Sequence, residues 1–495
     1  MIAKKVYIVV KPIHIFPLCN LGNSYTPLLR VKPLFKGETM RSDLTCLRTS
    51  PLNPNSQSGI KDVSQFSRQL GTLLAFLLLL FLLLPLPASA QAITPGTELT
   101  LEQAIDTALR IQPSILAGRF TVKANEATIG QAQANYYPQI AASGSYSKIY
   151  PGANNSGIDT PGKYDQYTST VGLNQTIFDF GKTPTQVTIS SLNTESSRFD
   201  LNNLLDTVVF NVKQAFYNVL QAQRNRDVAA ESVKQFQQHL DQAQGFYNVG
   251  TRARIDVTKA EVDLSNARLN LIKAENQIRL SRVTLNNAMG ISGSPEYTLK
   301  DNLFYVKYGL AFEDALSRVY AQRSDLQSLI KKGEAAKASI DLARKGYLPV
   351  LSGNANYNYS GTNFPLTDNW SYGVNLSVPL FTGFYTKYQV AQAQANYDAL
   401  KANEQSLRLD IYSQVQQGYL TLREAEERIG TSELTVKQAT ENVDLATGRY
   451  QAGVGSPLEV TDALVNLSNA QVAYTQALTD CKNAQATIEK AIGVR

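Results

Sequence analysis

The chain has 495 residues, with 47 Lys and Arg against 41 Asp and Glu, a formal charge of +6, and 43% hydrophobic residues. Residues 1–90 carry ten of the basic and three of the acidic residues, so the remainder holds 37 against 38 and has no electrostatic footprint for nucleic acid. Beyond residue 90 stand one histidine, His239, and one cysteine, Cys481, which argues against a Ser-His-Asp, Cys-His or zinc constellation; the sequence points to no enzyme, cofactor or metal site.

Residues 1–90 read as a leader. Leu73 to Leu84 is an unbroken apolar run, preceded by Lys61 and Arg68 and closed by Pro85, Pro87 and the small triplet Ala88-Ser89-Ala90. That pattern predicts a secretory signal peptide cut after Ala90, with a mature chain beginning at Gln91. As a transmembrane anchor the run is short. No Cys follows the cut, so a lipidated N-terminus is not indicated. The stretch before the run far exceeds an ordinary n-region, so residues 1–60 read as a misplaced gene start, with Met40 one candidate beginning, or as a disordered leader.

From Leu99, LTLEQAIDTALRIQP predicts a short amphipathic helix, and LAFEDALSRVYAQRSDL repeats it from Leu310. A second helix follows each and stops at Tyr136-Tyr137-Pro138 or Tyr347-Leu348-Pro349, since proline cannot continue the helix ladder. The period then changes to two. Tyr167, Ser169, Val171, Leu173 and Ile177 alternate with Thr168, Thr170, Gly172, Asn174 and Thr176; Trp370, Tyr372, Val374, Leu376, Val378 and Leu380 alternate with Ser371, Gly373, Asn375, Ser377 and Pro379. Strands are expected over about 138–150, 164–178, 349–360 and 369–381. A soluble half-buried strand and a membrane-barrel strand share this alternation; the secretory leader and the Gly/Asn/Pro-rich loops PGANNSGIDTPGK and SGTNFPLTDN favour the barrel.

The longest signal comes last in each half. A helix from near Pro184 keeps a 3-4 spacing through Val208, Val212, Ala215, Val219, Ala222, Arg226, Ala229, Val233, Phe236, Leu240 and Ala243, roughly 95 Å at ~1.5 Å per residue. It turns at YNVG, where Gly250 can take the left-handed cap conformation, and returns with Val257, Ala260, Leu264, Ala267, Leu271, Ala274 and Ile278 on the seam. An ungapped second copy lies 203 residues on: the turn is YQAG with Gly453, and the returning seam is Val460, Ala463, Leu467, Ala470, Tyr474, Ala477 and Cys481. Two repeats, 97–290 and 310–493, are thus joined by a linking segment over 291–309. Each reads helix, helix, strand, loop, strand, long helix, tip, helix. Four strands cannot close a barrel, for which about eight is the practical minimum, so the chain must oligomerise.

Over nearly all of 97–493 the chain resembles the TolC-like outer-membrane efflux proteins. The resemblance rests on the duplication, the Tyr-x-Pro junctions, the strand-to-helix junctions QTIFDFGK and VPLFTGFY, and the tips YNVGTRARIDVTKA and YQAGVGSPLEVTDA. It implies a mainly α fold with a transmembrane β-barrel: a homotrimer whose twelve strands sit in outer-membrane lipid while its helices form a periplasmic tunnel. Such a protein is a passive exit duct of a tripartite efflux or type I secretion system, docked at its tips by a periplasmic adaptor and a proton-driven or ABC-type inner-membrane transporter. By position Asp256, Glu459 and Asp462 read as helix N-terminal acids stabilised by the macrodipole; the resemblance instead implies a periplasmic gate of Arg252, Asp256, Tyr450, Glu459 and Asp462, in which Glu459 and Asp462 line the pore and Tyr450 bonds Asp256. Gly455 stands where the family can carry an arginine, so fewer polar links are expected. An adaptor would have one hairpin flanked by compact β domains, and a purely structural coiled coil would lack the amphipathic strands. His239 is expected on a helix surface, Cys481 in the seam, and Arg226 as a wall residue that snorkels to water or a charge facing the lumen or a neighbouring helix.

Overall fold

The computed structural model describes residues 98–150, 162–293 and 295–493. The leader, the proposed cut at Gln91 and most of the first inter-strand loop lie outside these residues.

Strand β1 (Glu98–Leu99) leads into α1 (Leu101–Ile111), which starts under a capping box: Gln103 N donates to Thr100 Oγ1 at 3.2 Å and Thr100 N to Gln103 Oε1 at 2.9 Å. Helix α2 (Pro113–Gln133) begins with a proline, which has no N–H to leave unpaired there, and winds into a 3-10 turn over Ala134–Tyr136. Then come β2 (Gln139–Ile149), β3 (Tyr164–Phe178), α3 (Lys182–Asn248) and α4 (Arg254–Met289). The second repeat follows the same plan: β4 (Thr298–Leu299), α5 (Phe312–Gln322), α6 (Ser324–Arg344), a 3-10 turn at Lys345–Tyr347, β5 (Val350–Gly361), β6 (Thr367–Ser377), α7 (Tyr385–Gln451) and α8 (Pro457–Ile492). β4 pairs in parallel with β1, tying the starts of the two repeats together.

Helices α3 and α7 have 67 residues each, about 100 Å of helix, and α4 and α8 have 36, about 54 Å. The rest of the long helix is covered by the 21-residue α2 and α6. Gln112, at the head of α2, donates to the carbonyls of Asn287 and Ala288 at the foot of α4, at 3.1 and 3.0 Å, so α4 and α2 follow end to end along α3. Side by side, the order is α4, α3, α8, α7 towards the hairpin turns and α2, α3, α6, α7 towards the strands. Val257, Ala260, Leu264 and Ala267 are buried on α4, as are Val460, Ala463, Leu467, Ala470, Ala477, Cys481, Ala484 and Ile488 on α8, while Leu271, Ala274 and Ile278 are half-buried. Each fully buried Leu or Ile contributes roughly 1.5–3 kcal/mol, and the alanines between them let the helix axes approach closely. Arg226 is half-exposed and pairs with its neighbour Asp227. Among the described residues no helix is long and apolar enough to cross a membrane.

The four long strands form one antiparallel sheet in the order β2-β3-β5-β6. Its register sorts side chains by face. Ala142, Val171 and Tyr357 align, as do Ile140, Leu173 and Ala355, Tyr357 and Trp370, Ala355 and Tyr372, and Leu351 and Leu376. The opposite face carries Ser143, Ser145, Thr168, Thr170, Asn174, Asn354, Asn356, Asn358, Asn369 and Asn375, with Asn358 Nδ2 donating to Asn369 Oδ1 at 3.1 Å. Trp370, Tyr372, Val374 and Leu376 are each more than half exposed. β6 stops at Ser377 instead of reaching 381, because Pro379 has no N–H for the ladder.

Both strand-to-helix junctions place two successive residues at positive φ, with the order of residue types exchanged: Phe180 (54°) then Gly181 (86°), and Gly383 (61°) then Phe384 (66°). At the first, Asp179 accepts from the backbone N–H groups of Gly181 at 3.0 Å and Thr183 at 2.6 Å, covering the otherwise unpaired start of α3.

Candidate functional site

The two hairpin turns have one backbone plan. Gly250 and Gly453 both sit at φ 79°, a conformation that costs an L side chain but not glycine. In the first turn Gly250 N donates to Tyr247 O at 2.9 Å and Thr251 N to Phe246 O at 3.0 Å; in the second, Gly453 N donates to Tyr450 O at 3.1 Å and Val454 N to Arg449 O at 3.1 Å. These paired bonds close the helix ends in the Schellman manner. Ser456 caps α8 by accepting from Leu458 N at 3.1 Å.

The turns differ in what they exchange. Arg252 Nη2 donates to the carbonyl of Gly455 at 2.8 Å, and its guanidinium carbon lies 5.4 Å from the centre of the Tyr450 ring. Gly455 is buried, and a Cβ there would stand 2.8 Å from Tyr450 N and 2.9 Å from the Arg449 carbonyl carbon. No side chain fits the turn at that position. The arginine sits in the first tip and reaches across to the second.

Tyr450, with no exposed surface, is the anchor of this junction. Its ring meets Phe246 edge-on at 5.4 Å and His239 at 5.3 Å, both from α3. Its Oη has no hydrogen-bond partner among the described residues, so the expected bond to Asp256 is not formed. Asp256 acts on Tyr450 through space: burial raises the phenol pKa, Asp256 adds to that rise, and Arg252 opposes it. His239 is likewise not a surface residue. It is 3% exposed, its Nδ1 has no partner among the described residues, and burial holds its pKa below the ordinary histidine value against the pull of Asp263. The heptad positions on α3 are Phe236, Leu240 and Ala243; His239 falls beside that seam and is covered by Tyr450 of the other hairpin, a contact helix periodicity does not register.

Thr461 Oγ1, on α8, donates to Asp263 Oδ2, on α4, at 2.9 Å, a third link between the hairpins. Glu459 is exposed and pairs with Arg449 at 3.3 Å; Asp462 is exposed, and Asp256 is half-buried. The exposed pair contributes at most ~1 kcal/mol. Arg252, Asp256 and Tyr450 therefore gather at the junction, while Glu459, held by Arg449, and Asp462 stand on the exposed surface. Among the described residues no cluster of His, Cys, Asp and Glu could hold a metal ion.

Comparison with known proteins matches residues 104–291 and 315–494 to the family described as outer membrane efflux protein. The chain is 23% identical over 409 residues to the probable efflux pump outer membrane protein TtgC of Pseudomonas putida, covering 79% of this chain and 82% of that one. It is 26% identical over 300 residues to the outer membrane protein TolC of Vibrio cholerae, covering 57% and 68%. Its fold matches the crystal structure of the outer membrane protein VceC of Vibrio cholerae with a TM-score of 0.67 at 19% identity, over 80% of this chain and 96% of that one.

Proposed function

The chain belongs to the outer membrane efflux protein family, and from that premise we propose that three copies close their four-stranded sheets into one twelve-stranded barrel. The protein is an outer-membrane efflux channel, a duct and not an enzyme. The observation that carries the trimer is the sheet itself, sorted into an apolar and an amide face yet ending, among the described residues, in two unpaired edges, β2 and β6. In hydrocarbon each unsatisfied backbone group costs several kcal/mol, so both edges need a partner, and β6 of one copy beside β2 of the next supplies it.

The apolar face has the layout of a membrane band. Tyr146, Tyr167, Tyr357, Trp370 and Tyr372 stand towards the loop ends of the strands, aliphatic residues follow, and Tyr136, Tyr137, Phe178, Tyr347 and Phe381 stand at the helix junctions. From Tyr137 to Tyr146 the extended chain covers roughly 30 Å at about 3.3 Å per residue; tilted ~40°, that spans about 23 Å, close to the ~25 Å apolar band of outer-membrane barrels. Lys148 and Asp165 pair at 3.5 Å one row beyond Tyr146 and Tyr167, where the band gives way to water. The amide face would line the lumen.

On this reading the helices form a periplasmic tube whose entrance is the hairpin tips. Asp256, Glu459 and Asp462 become rings of carboxylates that attract cations, and a periplasmic adaptor with a proton-driven or ABC-type transporter docks there. The duplicated halves at 97–290 and 310–493, joined through 291–309, supply two hairpins per copy, and the mature chain starts at Gln91. Native mass spectrometry of detergent-extracted protein should report three chains of that mature mass, and the same preparation should form ohmic channels in planar bilayers. A stable detergent-free monomer would remove both barrel and duct.

A further inference from the structure

We propose that His239 is an acid-sensitive latch between the two hairpins: its neutral imidazole keeps Tyr450 seated, and its protonation frees the α7–α8 hairpin from the α3–α4 hairpin. The inference rests on reading the tip as the channel entrance.

The latch is visible as two polar atoms that, among the described residues, have no partners at one buried contact. His239 of α3 is 3% exposed with Nδ1 unpaired; Tyr450 of α7 is fully buried with Oη unpaired; their rings are 5.3 Å apart. Groups from every neighbouring element act here. Helix α4 brings Asp263, Lys259 and Asp256 to bear on the imidazole, the first turn places Arg252 over the Tyr450 ring, α7 brings Tyr450, and α8 contributes Thr461, which holds Asp263. Asp263 and Asp256 favour the imidazolium; burial and Lys259 oppose it, and burial prevails. Tyr450 keeps its proton throughout, because burial and Asp256 raise its pKa.

The sign follows by linkage. In the closed tip His239 resists protonation; in an opened tip it meets water and titrates near the ordinary ~6.5. The opened form therefore binds the proton more readily, and the closed form loses ground as pH falls below that value while keeping its full hold above it. A structural route exists. An imidazolium must donate from both nitrogens, and the carboxylate acting on it most strongly, Asp263, is the one Thr461 engages. Beside Asp263 lies a cavity of about 170 Å³ with both apolar lining, Phe236 and Val465 among it, and polar lining from Ser232, Asn266, Asn270 and Asn469, which gives the carboxylate and entering water room to rearrange. Turning Asp263 towards His239 breaks the α4–α8 link at the moment Tyr450 loses its neutral neighbour.

The test uses the full-length trimer, reconstituted, with spin labels on the exposed tip positions in Val249→Cys and Val454→Cys protein. Between about pH 7.5 and about pH 5.5, a window that spans the ordinary histidine range and stays above the ordinary carboxylate range of ~4, the label separation should lengthen and single-channel conductance rise about threefold. His239→Phe keeps an aromatic ring against Tyr450 but takes no proton, and should show neither change. Should that variant fail to assemble, His239→Asn, carrying the residue found at 442 in the other repeat, should likewise be unresponsive. Labels that do not move in the wild-type protein, or that move equally in either variant, overturn the latch. Labels that move only in the wild type while conductance stays flat support the latch and instead remove the entrance reading.

Discussion

Arg252 donates its 2.8 Å hydrogen bond to the carbonyl of Gly455, the residue that holds Arg252's own place in the second repeat, 203 positions on. Corresponding positions of a duplicated chain have become donor and acceptor, and each can hold only one of the roles: the arginine needs an open turn to extend from, and the glycine needs the space a Cβ would take.

Replacing Arg252 by Ala removes a charged donor to a carbonyl and a cation over Tyr450, about 2 kcal/mol of hold by the usual worth of such bonds. In a two-state tip that is a shift of roughly 30-fold towards the open form. Single-channel recording should show a larger open fraction at neutral pH. Arg252→Lys should recover little of the closure, because an ammonium lacks the planar fork that both bonds and stacks.

Gly455→Ala should disrupt the second turn, since the new methyl would meet backbone atoms at 2.8 and 2.9 Å. The expected cost is about 1–3 kcal/mol, typical of overpacking. It should appear as faster amide exchange across 449–459 with the strands unaffected. Placing an arginine there with Gly455→Arg should be no better tolerated than alanine; normal exchange there would disprove the steric account.

Tyr450 tests contact against bond. Its hydroxyl has no partner among the described residues, so Tyr450→Phe should leave the closed tip intact, whereas Tyr450→Ala should open it, at a cost of about 3–5 kcal/mol for a buried aromatic. A Tyr450→Phe channel as leaky as Tyr450→Ala would restore the hydroxyl to importance. Removing both Glu459 and Asp462 as alanines should weaken cation preference without opening the tip, because neither hydrogen-bonds the Tyr450 hydroxyl.

Two adjacent strand residues separate the sheet's faces. Val374→Lys puts a cation on the apolar face, which costs about 2–4 kcal/mol at mid-membrane, and should reduce trimer recovered from the outer membrane. Asn375→Lys faces the other way and should assemble normally while altering conductance. Equal recovery of both variants would show that the Val374 face does not meet lipid.

The heptads of α4 and α8 and the alternation of β3 and β6 were legible because each is a local period with one dominant neighbour. Val257, Ala260, Leu264 and Ala267 pack where their spacing requires, and Trp370 and Tyr372 share the face their parity assigns. The site was legible only in its parts. Arg252, Tyr450 and Gly455 each drew notice, but contacts between residues about 200 positions apart depend on how the hairpins lean together, and no spacing rule reports that. The one available signal for His239 was its placement a single turn from Phe236 and Ala243, a lone imidazole beside an apolar stripe.

In the proposed trimer, two identical repeats would have offered six equivalent hairpins, and a ring of six like staves could only tighten or slacken uniformly. The exchange of Arg252 for Gly455 divides those staves into two kinds. One kind carries the grasping arm and can stand still as a frame, while the other carries the accepting turn and can swing. On the proposed assembly, a small asymmetry between two copies of one repeat would be enough to turn a rigid collar into an iris.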